Sequence, residues 1–243
     1  MSRGVSFFGN NQMNQQPIIV ALDFSDAEAA LNLAKRLRGQ PCHLKVGKEL
    51  FTRSGTQIIE QLQALDFKIF LDLKFHDIPN TVAKAVEAAA AMGVWMVNVH
   101  ASGGVKMMQA AREALTKFSQ PPHLIAVTVL TSLNEADLLE IGISSNIETH
   151  VQRLALLAEK AGLDGVVRSP KEITLLRETI GKDFLLVTPG IRPTGSALND
   201  QQRTLTQSQA LDLGSNYLVI GRPITAALDP IVALEEIQRS LMV

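Results

Sequence analysis

The sequence predicts an α/β protein, specifically a single-domain (β/α)₈ or TIM barrel. Short apolar runs rich in β-branched residues alternate regularly with longer amphipathic runs from Pro17 to the C-terminus, giving eight β/α pairs. Neither a linker nor a change in composition separates the halves of the 243-residue chain. Barrels of this class commonly occupy about 250 residues as one domain. These observations favour a closed barrel over an open, doubly wound sheet.

The predicted strands are short and nearly continuous in apolar residues, as expected for parallel strands that are covered on both faces. They are residues 18–23, 43–47, 68–74, 96–100, 124–128, 165–168, 185–188 and 217–221. The predicted helices have apolar residues at helical spacing, and several have capping residues at their ends. They are residues 26–37, 49–65, 80–92, 104–118, 147–161, 170–180, 206–213 and 229–242, with an extra helical piece at 135–141.

The rest of the composition limits the possible cellular setting. Residues 1–16 are rich in Asn and Gln without a hydrophobic signal region, which predicts a disordered N-terminal tail ahead of a catalytic domain at residues 17–243. The single cysteine, Cys42, excludes an intrachain disulfide and is typical of a cytoplasmic protein. A net charge of −1 and the lack of a long apolar run predict neither a nucleic-acid nor a membrane partner.

A barrel also predicts where the active site lies, because such sites are built at the C-terminal ends of the strands. The residues at or just after these predicted ends are unusually polar. They include Asp23, Lys45, Asp72, Lys74, His100, Thr131, Ser132, Arg168, Arg192 and Arg222.

The first group of candidates is a set of alternating charges from strands one to three: Asp23, Lys45, Asp72 and Lys74, followed by Asp77. Asp72 and Lys74 lie two residues apart on a strand and therefore share a face. The pair alone could be a structural ion pair. Within the larger group, each charge keeps its neighbours ionised, which provides a fixed proton donor beside fixed negative charge. The five scattered histidines have no metal-ligand spacing, so no metal is predicted.

The second group follows strands seven and eight, at residues 188–193 and 220–224. Many barrels bind phosphate at this position. Gly221 would allow close approach of an oxyanion, and Arg222 offers a planar fork for two phosphate oxygens. Residues 192–203 are polar and contain Pro and Gly, which is typical of a mobile loop that closes over a ligand. Gln201 and Gln202 are candidates to reach the phosphate from this loop.

Together these motifs resemble the orotidine 5'-phosphate decarboxylase family from about Pro17 through the C-terminal helix. The resemblance rests on the order and strand positions of several segments rather than on any one of them. The segments are Val-Ala-Leu-Asp at 20–23, Leu-Lys-Val-Gly at 44–47, Phe-Leu-Asp-Leu-Lys-Phe-His-Asp-Ile-Pro-Asn-Thr at 70–81, Val-Thr-Pro-Gly-Ile-Arg-Pro at 187–193 and Val-Ile-Gly-Arg-Pro at 219–223.

The resemblance implies cofactor-free decarboxylation of orotidine 5'-phosphate (OMP) to UMP and carbon dioxide in pyrimidine biosynthesis. It implies a catalytic array in which Lys74 donates a proton to C6 of the pyrimidine, and a homodimer whose active sites are shared across the interface. The implied catalytic residues are Lys45, Asp72, Lys74 and Asp77. The implied substrate-binding residues are Asp23 for the ribose, Thr131 or Ser132 for the pyrimidine, Gln201, Gly221 and Arg222 for the phosphate, Arg192 in the closing loop, and Thr81, which with Asp77 comes from the partner subunit.

Two alternatives remain open at this level. A metal-dependent sugar-phosphate branch of the same barrel family, with decarboxylases and synthases, shares the D-x-K-x-x-D pattern. That branch has a magnesium-binding carboxylate at the position of Lys45, where a lysine would repel the ion. The other alternative is a catalytically silent nucleotide-binding barrel, against which the complete charged array argues. Arg168 departs from the small or apolar residue expected at the end of strand six, and its effect depends on the direction of its side chain.

Overall fold

The computed structural model describes residues 16–191 and 205–241, and the described residues form a closed barrel of eight parallel strands in chain order. The strands are β1 (Ile18–Leu22), β2 (His43–Gly47), β3 (Ile69–Phe75), β4 (Met96–His100), β5 (His123–Val127), β6 (Gly165–Val167), β7 (Leu185–Pro189) and β8 (Tyr217–Ile220). The predicted barrel is therefore confirmed, with strand ends within one residue of those expected. The predicted N-terminal tail lies almost wholly outside the described residues.

The helices surround the barrel and follow the predicted alternation. They are α1 (Ala27–Leu37), α2 (Lys48–Ser54), α3 (Gln57–Gln63), α4 (Pro79–Ala91), α5 (Gly104–Ala114), α6 (Glu135–Glu140), α7 (Ile147–Lys160), α8 (Ile173–Thr179), α9 (Gln207–Asp212), α10 (Arg222–Thr225) and α11 (Pro230–Arg239). None of the helices in the described ranges is long and apolar enough to cross a membrane.

Two helix predictions were incomplete. The single helix predicted at 49–65 is interrupted, because Gly55 adopts a φ of +61° that ends α2 before α3 begins. The short helix α10 was not predicted, since four residues are too few to establish a helical period. By contrast, α1 begins with a capping residue, as expected for several of these helices: the Asp26 carboxylate accepts a hydrogen bond from Ala29 N at 2.9 Å.

The strands separate two apolar layers by simple alternation. On β1, Ile18, Val20 and Leu22 pack against the surrounding helices, whereas Ile19 and Ala21 point into the barrel. The strand register puts Lys45 beside Ala21 and Phe70, and Asp72 beside Gly47. Lys45 therefore shares a level with inward apolar residues, and Asp72 lies two residues further along β3 than the inward-facing Phe70. A polar layer thus caps the apolar interior at the C-terminal end of the barrel.

The opposite end of the barrel is closed by aromatic rings. The ring of His43 lies 4.2 Å from that of Trp95, and Tyr217 meets Trp95 edge-on at 5.1 Å. His43 is only 4% exposed. Burial, assisted by the nearby charge of Lys68, lowers the pKa of His43 to about 4. His43 is therefore an uncharged packing residue at neutral pH.

We expect His43 to make the fold sensitive to acid. The unfolded chain binds a proton at this histidine near pH 6.5, whereas the folded chain binds it only near pH 4, so the contribution is complete above pH 6.5 and is lost as the pH falls towards 4. The upper limit of the loss is about 3 kcal/mol. Urea unfolding of wild type and His43→Leu at pH 7 and pH 4.5 should show a steeper pH dependence for wild type. Parallel pH dependences would contradict the assignment.

Candidate active site

The predicted motif on β3 ends in an unusual backbone conformation. Lys74 has a φ of +53°, in the left-handed region that non-glycine residues rarely adopt. The pairing of β3 with β4 shifts register between Leu71 and Phe75, so the ladder is interrupted around Lys74. Such conformations cost about 1–3 kcal/mol and persist where surrounding contacts impose them. The strain coincides with the residues that the sequence identified as candidates for chemistry.

The structure brings four of the predicted charged side chains together in an alternating chain. Lys74 Nζ lies 2.6 Å from Asp72 Oδ1, and Lys45 Nζ lies 3.4 Å from Asp72 Oδ2. Lys45 Nζ also donates a hydrogen bond to Asp23 Oδ1 at 3.1 Å. One carboxylate therefore holds both ammonium groups, and Lys45 links the β1 end to the β3 end.

The environment of Asp72 keeps it ionised despite its burial. Its side chain is 12% exposed, and burial alone would raise the pKa of the carboxyl. The charges of Lys45 and Lys74, with hydrogen bonds from Lys74 and Asn98, outweigh that effect and hold the pKa of Asp72 below its ordinary value. Asp72 thus remains an anion that can anchor two cations.

Asn98 on β4 is a residue of this site that the sequence reasoning missed. Its side chain is fully buried; Oδ1 accepts a hydrogen bond from Lys74 N at 2.8 Å, and Nδ2 donates one to Asp72 Oδ1 at 2.7 Å. The available signal was a single amide side chain within the otherwise apolar run Met96–Val99, on the same face as His100.

A cavity of about 300 Å³ opens beside the charged chain. Lys45, Asp72 and Lys74 form one side of it, and Thr131, Gly190 and Gly221 line it from other strand ends. The remaining wall is largely apolar and contains Val127, Val129, Val167, Pro189 and Val219. A planar ring with polar substituents could therefore lie against the apolar wall while one edge faces the two lysines.

Other predicted site residues lie outside this cavity. Asp77, Thr81 and Ser132 are exposed, and Asp77 Oδ1 accepts a hydrogen bond from the following backbone amide at 2.6 Å. Arg222 is exposed at the first position of α10, directly after Gly221. Arg192 and Gln201, together with Gln202, fall outside the described residues.

Arg168 is buried completely, although it follows the short strand β6. Val167 packs against the barrel interior and Val166 against the helices, so alternation directs the Arg168 side chain outward. Its Nη1 donates a hydrogen bond to Ser169 O at 2.8 Å, whereas Nε and Nη2 have no partner among the described residues. Burial lowers the pKa of Arg168 to about 9. Although it has no exposed surface, Arg168 is among the residues that line the cavity, next to Val167.

Within residues 16–191 and 205–241, no group of three or more His, Cys, Asp or Glu side chains has an arrangement that could hold a metal ion. The acidic members of the site instead have lysine partners. The absence of a metal and of a cofactor from the reaction remains a prediction at this stage.

Comparison with known proteins identifies the group to which this chain is related. Residues 16–237 match the family model described as orotidine 5'-phosphate decarboxylase / HUMPS family. Orotidine 5'-phosphate decarboxylase from Chromobacterium violaceum is 59% identical, over 93% of this chain and 92% of the relative. The enzyme of the same name from Shewanella sediminis is 57% identical, over 95% of this chain and 99% of the relative.

Solved structures agree with the sequence comparisons. The crystal structure of orotidine 5'-phosphate decarboxylase from Lactobacillus acidophilus superimposes with a TM-score of 0.82 at 40% identity, covering 93% of this chain and 99% of that one. The corresponding Pyrococcus horikoshii enzyme gives a TM-score of 0.76 at 25% identity. The match extends over the whole barrel and not over one motif. This chain therefore belongs to the orotidine 5'-phosphate decarboxylase / HUMPS family.

Proposed function

We propose that this chain decarboxylates OMP to UMP and carbon dioxide, using its own side chains without a metal or cofactor. The observation that carries the proposal is the Asp23–Lys45–Asp72–Lys74 chain at the edge of a cavity with an apolar wall. Relatives at 57–59% identity bear the name of this activity.

Lys74 is the proposed proton donor. Loss of carbon dioxide from C6 leaves an electron pair in an in-plane orbital that the pyrimidine ring cannot delocalise. An ammonium group that is already in position stabilises this charge as it develops and then transfers a proton to C6. The 2.6 Å contact with Asp72 supports this role, because it holds the Lys74 ammonium at one point beside the cavity.

Asp72 and Lys45 are proposed to maintain that geometry and charge. Lys45 compensates Asp72 at its second oxygen, so the carboxylate stays ionised while it also pairs with Lys74. Without Lys45, the buried carboxylate would more readily take up a proton and would hold Lys74 less firmly. The array therefore acts as a preorganised unit rather than as independent groups.

The remaining binding roles follow the shape of a nucleotide 5'-phosphate. Asp23 is assigned to the ribose, Thr131 or Ser132 to the pyrimidine, and Gly221 with Arg222 to the phosphate. A Cβ atom at Gly221 would lie 3.8 Å from Asp23 Oδ2, so the proposed ribose and phosphate positions are neighbours, as this substrate requires. Arg192 and Gln201 are proposed to complete the phosphate contact.

We also propose a homodimer in which Asp77 and Thr81 serve the active site of the partner subunit. Both residues are exposed on the segment after β3, and Ile78 between them has 66% of its surface exposed. This exposure leaves the Asp77 and Thr81 side chains accessible to a partner subunit. Lys74 faces its own cavity, whereas Asp77, three residues later, does not line it.

The contacts of Lys45 distinguish this proposal from a magnesium-dependent sugar-phosphate enzyme. Its ammonium lies 3.1 Å from Asp23 and 3.4 Å from Asp72, occupying the space between the carboxylates that a divalent cation would need. A positive charge at that point disfavours cation binding.

An assay with chelator present tests the function directly. We expect purified protein to convert OMP to UMP and carbon dioxide at the same rate with and without EDTA. The loss of OMP absorbance measures the rate, and chromatography identifies the product. Activity that disappears with EDTA and returns with Mg²⁺ would favour the sugar-phosphate branch. Tight OMP binding without turnover would instead indicate a silent nucleotide-binding barrel.

A further inference from the structure

Where the hydrogen-bonded ladder between β3 and β4 is interrupted, the backbone amide of Lys74 needs another hydrogen-bond acceptor. Regular pairing resumes only at Phe75, which is in register with Val99. At the interruption, the Lys74 amide is held by a side chain, because Asn98 Oδ1 accepts its hydrogen at 2.8 Å. A side-chain acceptor thus replaces the main-chain partner at the residue with positive φ.

The other end of the same amide group holds Asp72. Asn98 Nδ2 donates a hydrogen bond to Asp72 Oδ1 at 2.7 Å, and the same oxygen accepts a second hydrogen bond from Lys74 Nζ at 2.6 Å. The two contacts fix which end of the Asn98 amide is oxygen, since Lys74 N can only donate and an ionised carboxylate can only accept. With no exposed surface, Asn98 has little freedom to turn.

We propose that Asn98 is a positioning residue for the decarboxylation, which fixes the Lys74 backbone and the Asp72 carboxylate relative to each other. This inference rests on the proposed function. In this role Asn98, on β4, determines the position of the Lys74 ammonium group but transfers no proton itself. The amide side chain of Asn98 supplies an acceptor and a donor from one planar group, and leucine supplies neither.

Asn98→Leu is the first test, because leucine has a similar volume but neither polar atom. We expect kcat to fall by about 100-fold while KM changes by less than about threefold, since the loss concerns alignment rather than substrate contacts.

Asn216→Leu is the matched control. Asn216 Oδ1 also accepts two hydrogen bonds, both partly buried, from Arg177 Nη2 and Leu186 N, but it lies at the other end of the barrel. The Asn216→Leu substitution should lower Tm without changing kcat.

Asn98→Asp gives a pH-dependent readout that a merely structural role would not produce. Aspartate can accept the Lys74 amide hydrogen, but its second oxygen would face Asp72 unless one carboxyl is protonated. The charged and titratable groups around the site are Asp23, Lys45, Asp72, Lys74, His76 and His100. The pKa of His100 is lowered to about 4 by burial and by the nearby His76 and lysines. We expect the kcat of Asn98→Asp to decline as pH rises through the elevated pKa of the carboxyl pair, unlike that of wild type.

Crystal structures of the variants separate this inference from the function itself. The inference predicts that Asn98→Leu moves the Lys74 backbone out of its positive-φ conformation and displaces Nζ, whatever reaction the protein performs. An Asn98→Leu protein that keeps wild-type kcat and an unchanged Lys74 would overturn the inference. A wild-type protein that does not convert OMP would overturn the proposed function alone, because the displacement of Lys74 would still be measurable.

Discussion

Replacement of Lys74 by alanine is expected to lower kcat for OMP by at least about 10³-fold, because it removes the charge beside C6 and the proton that replaces the departing carbon dioxide. The barrel should remain folded. The Lys74 side chain is one-quarter exposed, and Asp72 keeps its contacts with Lys45 and Asn98. Stopped-time assays over long incubations would measure the residual rate, and circular dichroism would check the fold.

Lys84→Ala is the matched control for this loss. Lys84 is an exposed lysine on α4 that pairs with Glu87 at 3.1 Å, so its removal should leave kcat unchanged within about twofold. Lys74→Ala protein with more than about a tenth of the wild-type kcat would refute the proton-donor role, since one misplaced general acid already costs more than this.

Mixing two inactive variants is expected to restore activity if the sites are shared. In a hybrid of Lys74→Ala and Asp77→Ala subunits, one site contains both defects and the other contains neither. Random exchange makes half of the dimers hybrids, so about a quarter of the wild-type activity should return. The measurement is kcat per site after co-refolding, with the hybrid fraction determined from two different affinity tags.

Controls for the mixing experiment distinguish shared active sites from other causes of recovered activity. Each variant refolded alone provides the baseline, and a mixture of Lys45→Ala with Lys74→Ala provides the control, because the proposal assigns both residues to the same subunit's site. No recovery in proven Lys74→Ala and Asp77→Ala hybrids would show that Asp77 does not act across an interface. Recovery in the Lys45→Ala control would show that restoration arises by some other route.

The strands and the charged array could be predicted because each depends on local pattern. Apolar runs mark the strands, and Asp72 and Lys74 share a motif whose period directs both side chains inward. The strand order of a barrel then predicts that Lys45 and Asp23, at the ends of neighbouring strands, lie beside them. In each case, short-range sequence and barrel topology together were sufficient.

The features that were missed depend on contacts between distant segments. The role of Asn98 arises only when β4 lies against the interruption in β3, and 24 residues separate it from Lys74. The positive φ of Lys74 has no local signal, because lysine has no preference for that region. The direction of Arg168 depends on where a strand of only three residues ends. Such details come from packing and not from periodicity.

The position of Asp72 between two lysines has a consequence for measurements of pH dependence. Because one carboxylate contacts both Lys45 and Lys74, the lowered pKa of Asp72 depends on both ammonium groups being present. The acid limb of the pH–rate profile of this protein will therefore report Asp72 as it is paired with two lysines, and not as an isolated carboxyl group. Substitution of either lysine by an uncharged residue should move that limb to higher pH, which makes its position a measure of how strongly each lysine acts on Asp72.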